Sequence, residues 1–345
     1  MLSFSQYLTE AVAPNKGDVF EFVFAAACVA YILNPGKVTI KQVSTIMDNY
    51  FQKKYAYKSG DKTVTLNTAS LPEAALLALQ NPKYRNSPEV DKIKESAIHS
   101  VTSASTILDD VGKMKGNIGV TPIGTVSQSG TKSDVDILVN NKVVKRISLK
   151  YGSKTFGQWA GTDVAVQIKE ALANIGIKVT PQDLATLDPR TLKLVGIYTD
   201  RNDPNYTTHD KLKLFKAVQS IFDKIQSKRP NAQTIIDGFR AAVQGEEPDI
   251  IAISAAGKAV QIFDPNFFSK FEKGLKSSVL DWETESEGGN PSLVLRAHSK
   301  KDNKSYKLFK IRFRFDADPK KDGYKLRTRT YLEIYPEINK FISQF

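Results

Sequence analysis

Thr131-Lys132-Ser133-Asp134-Val135-Asp136-Ile137-Leu138-Val139-Asn140-Asn141-Lys142-Val143-Val144-Lys145-Arg146-Ile147-Ser148-Leu149-Lys150 is the stretch that decides the fold. It reads as a β-hairpin: Asp134 to Val139 alternates and is β-branched, Val143 to Lys150 repeats the pattern, and Asn140-Asn141-Lys142 lies between as the turn. Asparagine tolerates the left-handed backbone that such turns require. Successive strand residues face opposite sides. A three-residue loop therefore pairs Val139 with Val143 and Asp134 with Ser148. One face then holds Val135, Ile137, Val139, Val143, Ile147 and Leu149, interrupted only by Lys145. The other holds Asp134, Asp136, Ser148 and Lys150. A two-residue loop would mix the sets and turn carboxylates into the core, so the apolar pattern selects the register.

The polar face has a chemical use. Carboxylate oxygens are hard ligands suited to Mg²⁺. A lysine beside the ion orients a water or stabilises charge building up on a phosphate. The plain alternative is an edge hairpin with a solvated polar side.

Composition narrows the classes. A chain of 345 residues has room for one large domain or two small ones with an ample core. No apolar run reaches membrane-spanning length, and 18 Phe with 13 Tyr exclude a disordered chain. The single cysteine, Cys28, excludes a disulfide framework and sits in Ala25-Ala26-Ala27-Cys28-Val29-Ala30, a small-residue core context. His99, His209 and His298 are scattered, with no metal-His pair or Ser-His-Asp set. A net charge of +12 favours a polyanionic partner, nucleic acid first.

Along the chain, Met1 to Glu10 has neither the positive region nor the apolar core of a secretory signal. Pro14 to Leu33 opens on Asn15-Lys16-Gly17-Asp18 and runs as a helix from Val19 to Leu33, closed by Asn34-Pro35-Gly36. Glu21 falls in its first turn among Phe20, Phe22, Val23 and Phe24, either as a helix-end charge or as a functional group. Further helices are expected at Lys41 to Tyr55, Pro72 to Leu79 and Glu89 to Asp110, with polar turns at Tyr55 to Ser70 and Gln80 to Pro88. Gly112 to Gly130 is a loop or a short strand leading into the hairpin. After Lys150, Tyr151 to Gly161 is polar, glycine-rich and aromatic, a candidate substrate-contacting loop. A helix capped by Thr162 runs to Asn174. Leu192 to Thr199 reads as a strand, Thr207 to Gln226 and Ala232 to Val243 as amphipathic helices, and Asp249 to Ser254 with Lys258 to Phe263 as a second hairpin.

The last 90 residues change character. Leu308 to Phe315 places Phe309, Ile311, Phe313 and Phe315 on one side and Lys310, Arg312 and Arg314 on the other. Tyr324 to Leu332 repeats this with Lys325, Arg327 and Arg329. Two cation-faced strands suit a phosphate backbone; the alternative is a solvated face, where mixed signs are expected.

A helix with a glutamate, a strand with an aspartate, a turn, a strand ending Ser-x-Lys, then helix and strand resembles the PD-(D/E)XK nucleases. The resemblance covers Gly17 to Glu21 and Lys132 to Thr199. It implies an α/β (α+β) fold with a restriction-endonuclease-like mixed sheet flanked by helices. It also implies Mg²⁺-dependent phosphodiester hydrolysis, with Mn²⁺ as a substitute and DNA as the nucleic acid. Asp134 then takes the place of the first metal-binding aspartate, Ser148 the variable acidic position, Lys150 the family lysine and Glu21 the glutamate of the first helix. Asp136 shares the face of Asp134 and could replace it. No Pro precedes the aspartate, and Ser148 removes one charged ligand. Some members do read Ser-x-Lys, with the backbone carbonyl of the middle residue, here Leu149, touching metal.

Met1 to Glu10 is similar to the short leaders of proteins from large tailed bacteriophages, where Leu-x-Glu is the type of site cut by the prohead protease; Leu8-Thr9-Glu10 fits. This implies a phage DNA endonuclease in the host cytoplasm or packaged in the virion. Its partners would be a capsid or prohead protease and a second copy of the chain, with no membrane. The organisation expected is a leader over 1–13, a nuclease-like domain over 14–255 with a helical insertion at 37–120, and a basic β-rich region over 256–345. Gly124-Thr125 followed by Asp134-Val135-Asp136 also resembles the nucleotidyltransferase signature, with Asp249 as a third carboxylate. A non-catalytic nucleic-acid-binding virion protein is the remaining alternative.

Overall fold

The computed structural model describes residues 14–67, 70–123, 133–152, 155–161, 163–198, 211–245, 249–315 and 328–345. The leader over Met1 to Glu10, Gly124-Thr125, Thr162 and the Lys325 and Arg327 positions lie outside them. The chain is of the α/β class with a mixed sheet core flanked by helices. It forms two compact units, Met1–Ser153 with Gln244–Pro265, and Lys154–Val243 with Asn266–Phe345. The boundary expected at 255/256 is therefore corrected. It would cut a hairpin of the first unit, while the real crossing comes a hundred residues earlier, at the end of the lysine strand.

The first unit is built on helix α1 (Lys16–Leu33), whose residues from Val19 to Ile32 are buried except Glu21. A helix apolar all round must be enclosed on all sides. It packs on strands β2 (Lys62–Leu66), β3 (Asn117–Pro122) and β5 (Lys142–Tyr151) of one sheet. Helices α2 (Ile40–Phe51), α3 (Glu73–Gln80), α5 (Pro88–Ser103) and α6 (Ser105–Lys113) also pack against it. Asn15 caps it by accepting from the Gly17 N–H at 3.0 Å. The helix thus begins three residues earlier than expected. Asp18, not Glu21, occupies its first turn, and Glu21 loses its role as a helix-end charge.

The sheet order is β1-β2-β3-β4-β5-β7-β8, with β1 Ala56–Ser59, β4 Val135–Val139, β7 Ile250–Ala256 and β8 Ala259–Phe263. β3, β4 and β5 form an antiparallel meander, and β7 lies parallel to β5. The expected polar turn region at 55–70 is the β1–β2 hairpin, folded back at Gly60. The expected helix over 89–110 is broken at Ala104 into α5 and α6. Short α4 (Pro82–Arg85) fills the turn before them.

The hairpin turn differs from expectation in an instructive way. Asn140 and Asn141 both have positive φ, 50° and 65°, and form a two-residue turn that pairs Val139 with Lys142 and Leu138 with Val143. A bulge follows: Ile137 pairs with Lys145, leaving Val144 as the extra residue. The bulge restores the register beyond it, so Val135 pairs with Ile147 and Asp134 stands opposite Ser148, as the apolar pattern required. Val143 is exposed while Val144 packs on the core. The two valines exchange roles.

The second unit carries a five-stranded antiparallel sheet, β6-β12-β11-β10-β9. Its strands are β6 (Thr155–Gly161), β9 (Ser278–Glu287), β10 (Asn290–Ser299), β11 (Lys304–Phe315) and β12 (Thr328–Ile334). The expected loop at 151–161 is thus mostly β6, an edge strand. The unit also holds α7 (Val164–Asn174), α8 (Pro189–Leu194), α9 (Lys211–Gln226), α10 (Ala232–Gln244), α11 (Pro265–Ser277) and α12 (Glu337–Ile342). Asp163 caps α7. The strand expected from Leu192 is instead helix α8, because Asp188-Pro189 supplies an N-cap and an N1 proline. Its core stacks Phe239 on Phe309 at 5.3 Å, with Phe271 and Trp282 around them. Among the described residues no helix is long and apolar enough to cross a membrane.

Candidate active site

β4 begins one residue after Asp134, and the backbone of Asp134 joins its two neighbours. Its N–H donates to the Ile147 carbonyl at 2.8 Å, and its carbonyl accepts from Ile123 N–H at 2.9 Å. The side chain is buried. One carboxylate oxygen, Oδ2, accepts the Leu149 N–H at 2.6 Å and the Ser148 hydroxyl at 3.2 Å. The aspartate thereby replaces a ladder partner that β4 has not yet begun to provide. In an extended residue N–H and C=O point to the same strand edge. The Leu149 carbonyl therefore faces the edge on which Asp134 sits.

Glu21 comes from the second turn of α1. Its Oε2 is buried with no hydrogen-bond partner among the described residues. Burial first, then the charges of Asp134 and Asp18, push its carboxyl up to about 8, while Lys150 pulls it down. Burial also raises Asp134, opposed first by Lys150 and then by the Leu149 N–H. These mutual effects place Glu21, Asp134 and Lys150 in one electrostatic field. The sequence-predicted set of Glu21, Asp134, Ser148, Leu149 and Lys150 is thus brought together.

Asp136 lies on the Asp134 face but is engaged elsewhere: the buried Ser133 hydroxyl donates to its Oδ1 at 2.6 Å, and Arg146 stands opposite it in the ladder. Asp249 is exposed and precedes Ile250, the register partner of Arg146, so it is out of phase with Asp136. Sequence reasoning missed Asp18. It lies three residues before Glu21, hence on the same helical face, and burial raises its carboxyl too. The i, i+3 spacing was the available signal.

Among the described residues no three His, Cys, Asp or Glu side chains stand close enough to hold one ion. The donor set still suits Mg²⁺, which commonly takes one or two carboxylates and keeps several waters. Asp134 and Glu21 supply the carboxylates and the Leu149 carbonyl a neutral oxygen. The unpartnered Glu21 Oε2 is a buried polar atom that a cation would satisfy.

The cationic strands are corrected. Lys310 is 7% exposed and pairs with Glu287 at 2.5 Å and Glu333 at 3.4 Å. Arg312 reaches the same two carboxylates at 3.6 Å. Arg314 stacks on Tyr331 and donates to its hydroxyl at 3.0 Å. Arg329 stands opposite Arg314 in the ladder. Lys307 pairs with Glu285, and Arg296 with Glu283. This is a mixed-sign face whose acids come from β9 and from the end of β12, not a free cationic stripe for phosphates.

No protein-family model, curated protein or solved structure matches the chain.

Proposed function

We propose that the chain is a metal-dependent nuclease of the PD-(D/E)XK type, hydrolysing phosphodiesters of DNA. The observation that carries this is the convergence of Glu21, Asp134 and Lys150 where β4 has ended and β5 continues. The strand order supports it: a helix with the glutamate, an antiparallel meander with the aspartate and lysine, then a strand parallel to the lysine strand. That last strand is β7, not the stretch from Leu192 first expected to supply it.

Bound Mg²⁺ would screen the phosphate charge and lower the pKa of an attacking water. Asp134 and Glu21 would hold it with the Leu149 carbonyl. Asp134 is kept in place by Leu149 N–H and Ser148, so its other oxygen is directed without further reorganisation. Lys150 presents an ammonium to the charge that develops on the phosphate. Ser148 acts through Asp134, as a hydroxyl donor rather than a charged ligand. A nucleotidyltransferase is less well supported, since Asp136 is held by Ser133 and Asp249 is out of phase. A phage origin rests on Leu8-Thr9-Glu10 alone; protein from virions would begin at Ala11.

The test is cleavage and gel-shift, side by side, on plasmid, linear duplex and single-stranded DNA with Mg²⁺, Mn²⁺ or EDTA. Lys150→Ala should cost about 100-fold or more in turnover and little in binding. Asp134→Asn should abolish metal-dependent cleavage. Folded wild-type protein that binds DNA and cuts nothing would defeat the proposal; incorporation of labelled nucleotide would replace it with the transferase.

A further inference from the structure

We propose that Ser254, backed by Gln261, positions the Lys150 ammonium; this rests on the nuclease assignment and adds to it a residue that the sequence alone did not reveal. β7 reads Ile250-Ile251-Ala252-Ile253-Ser254-Ala255-Ala256, so Ser254 is the one polar side chain in an apolar strand, and it is 7% exposed. A buried hydroxyl requires a partner. The register supplies the place for one: Lys150 stands opposite Ser254 across the parallel β5–β7 pair, and Ser254 stands opposite Gln261 in the β7–β8 hairpin.

Residues in register on neighbouring strands project to the same side, with strands about 4.8 Å apart. Lys150, Ser254 and Gln261 therefore form one row across three strands, on the face that carries Asp134 and Ser148. The flanking rows are unlike it. Leu149, Ile253 and Ile262 are apolar, as are Tyr151, Ala255 and Val260 apart from one phenol. The polar row occurs only where the site lysine is.

A lysine ammonium has three donors and no acceptor. A carboxylate at this position would fix it but would also cancel much of its charge, which the developing phosphate charge needs. A neutral hydroxyl orients it and leaves the charge available. The hydroxyl also has a proton to donate, and the Gln261 carboxamide oxygen on its far side can accept it, turning a serine lone pair toward Lys150.

Threonine and valine have the same shape and differ by the hydroxyl, so Ser254→Thr and Ser254→Val separate hydrogen bonding from packing. With steady-state cleavage of linear duplex DNA in Mg²⁺, Ser254→Val and Ser254→Ala should lower kcat about 10-fold, the lower end for an outer partner of a reacting group. KM should be unchanged, and Ser254→Thr should keep most of the wild-type rate. Thermal melting controls for folding, with the Thr and Val variants expected to match. Equal kcat for Thr and Val variants while the wild type cleaves would overturn the role of Ser254 and leave the nuclease intact. A folded wild type that cleaves no DNA in Mg²⁺ or Mn²⁺ would overturn the nuclease, and this role with it.

Discussion

At Glu21 a carboxyl sits among phenylalanines with one oxygen unpartnered, and it holds its proton until about pH 8, against 4.5 for the unperturbed group. Between these values the folded chain binds a proton that the unfolded chain has lost. Stability therefore falls as pH rises through the window and levels off above it. Asp134, raised by burial, contributes with the same sign. In EDTA, the melting temperature should fall from pH 5 to pH 8, and Glu21→Gln should flatten that slope and melt above wild type at the alkaline end. Ligation requires the deprotonated carboxylate, so added Mg²⁺ should raise the melting temperature more at the alkaline end than at pH 6. A pH-independent wild-type melt would contradict the burial of Glu21. Lys310 is the opposite case, a buried charge with two partners. Lys310→Ala leaves Glu287 and Glu333 facing each other. The expected cost is about 3 kcal/mol by urea denaturation, the low end for a broken buried pair because Glu287 is largely exposed.

The β4–β5 hairpin shows what an element reveals before its structure is known. Alternation fixed the register at Asp134 and Ser148, because any slip would expose Val135, Ile137, Ile147 and Leu149. It could not distinguish Val143 from Val144, since adjacent valines give the same pattern on either side of a bulge. The turn itself hangs on Asn140. Its backbone is left-handed, its N–H donates to the Asn117 carbonyl at 2.8 Å, and its Oδ1 accepts the Asn117 N–H at 3.1 Å. Asn140→Ala keeps the φ strain and loses the side-chain bond. It should cost about 1–2 kcal/mol, whereas Asn141→Gly should be neutral or stabilising; chemical denaturation of the pair checks both. Helix α1 was legible from its unbroken apolar run, yet its start was set by Asn15, which moved Glu21 from the first turn to the second.

Over the whole molecule, the net charge of +12 remains a reason to expect a polyanion, but β11 and β12 are not its described seat. Salt dependence of DNA binding should therefore be nearly the same for wild type and for a folded Arg312→Gln variant, because the Arg312 charge is already engaged by Glu287 and Glu333. A slope shallower by about one unit would return that arginine to the phosphate-contacting set. The ion pairs were not legible because Glu287 belongs to a hairpin, β9–β10, that the sequence reading did not resolve, and Glu333 sits at the far end of its own strand. Nor was the pairing of β5 with β7, since some hundred residues of the second unit intervene.

That interval has a consequence in time. A ribosome adding about 5–20 residues per second needs on the order of 5–20 s to pass from Lys150 to Ser254. Throughout it the nascent chain carries β5 with one edge unmatched, and an unmatched strand edge is a template for other chains. The first unit cannot close until β7 has emerged, so Lys150 acquires its neighbour only after most of the second unit has been made. A chain stalled before Gln244 would hold Glu21, Asp134 and Lys150 in an unfinished sheet. Catalytic competence would then be among the last properties the growing polypeptide gains.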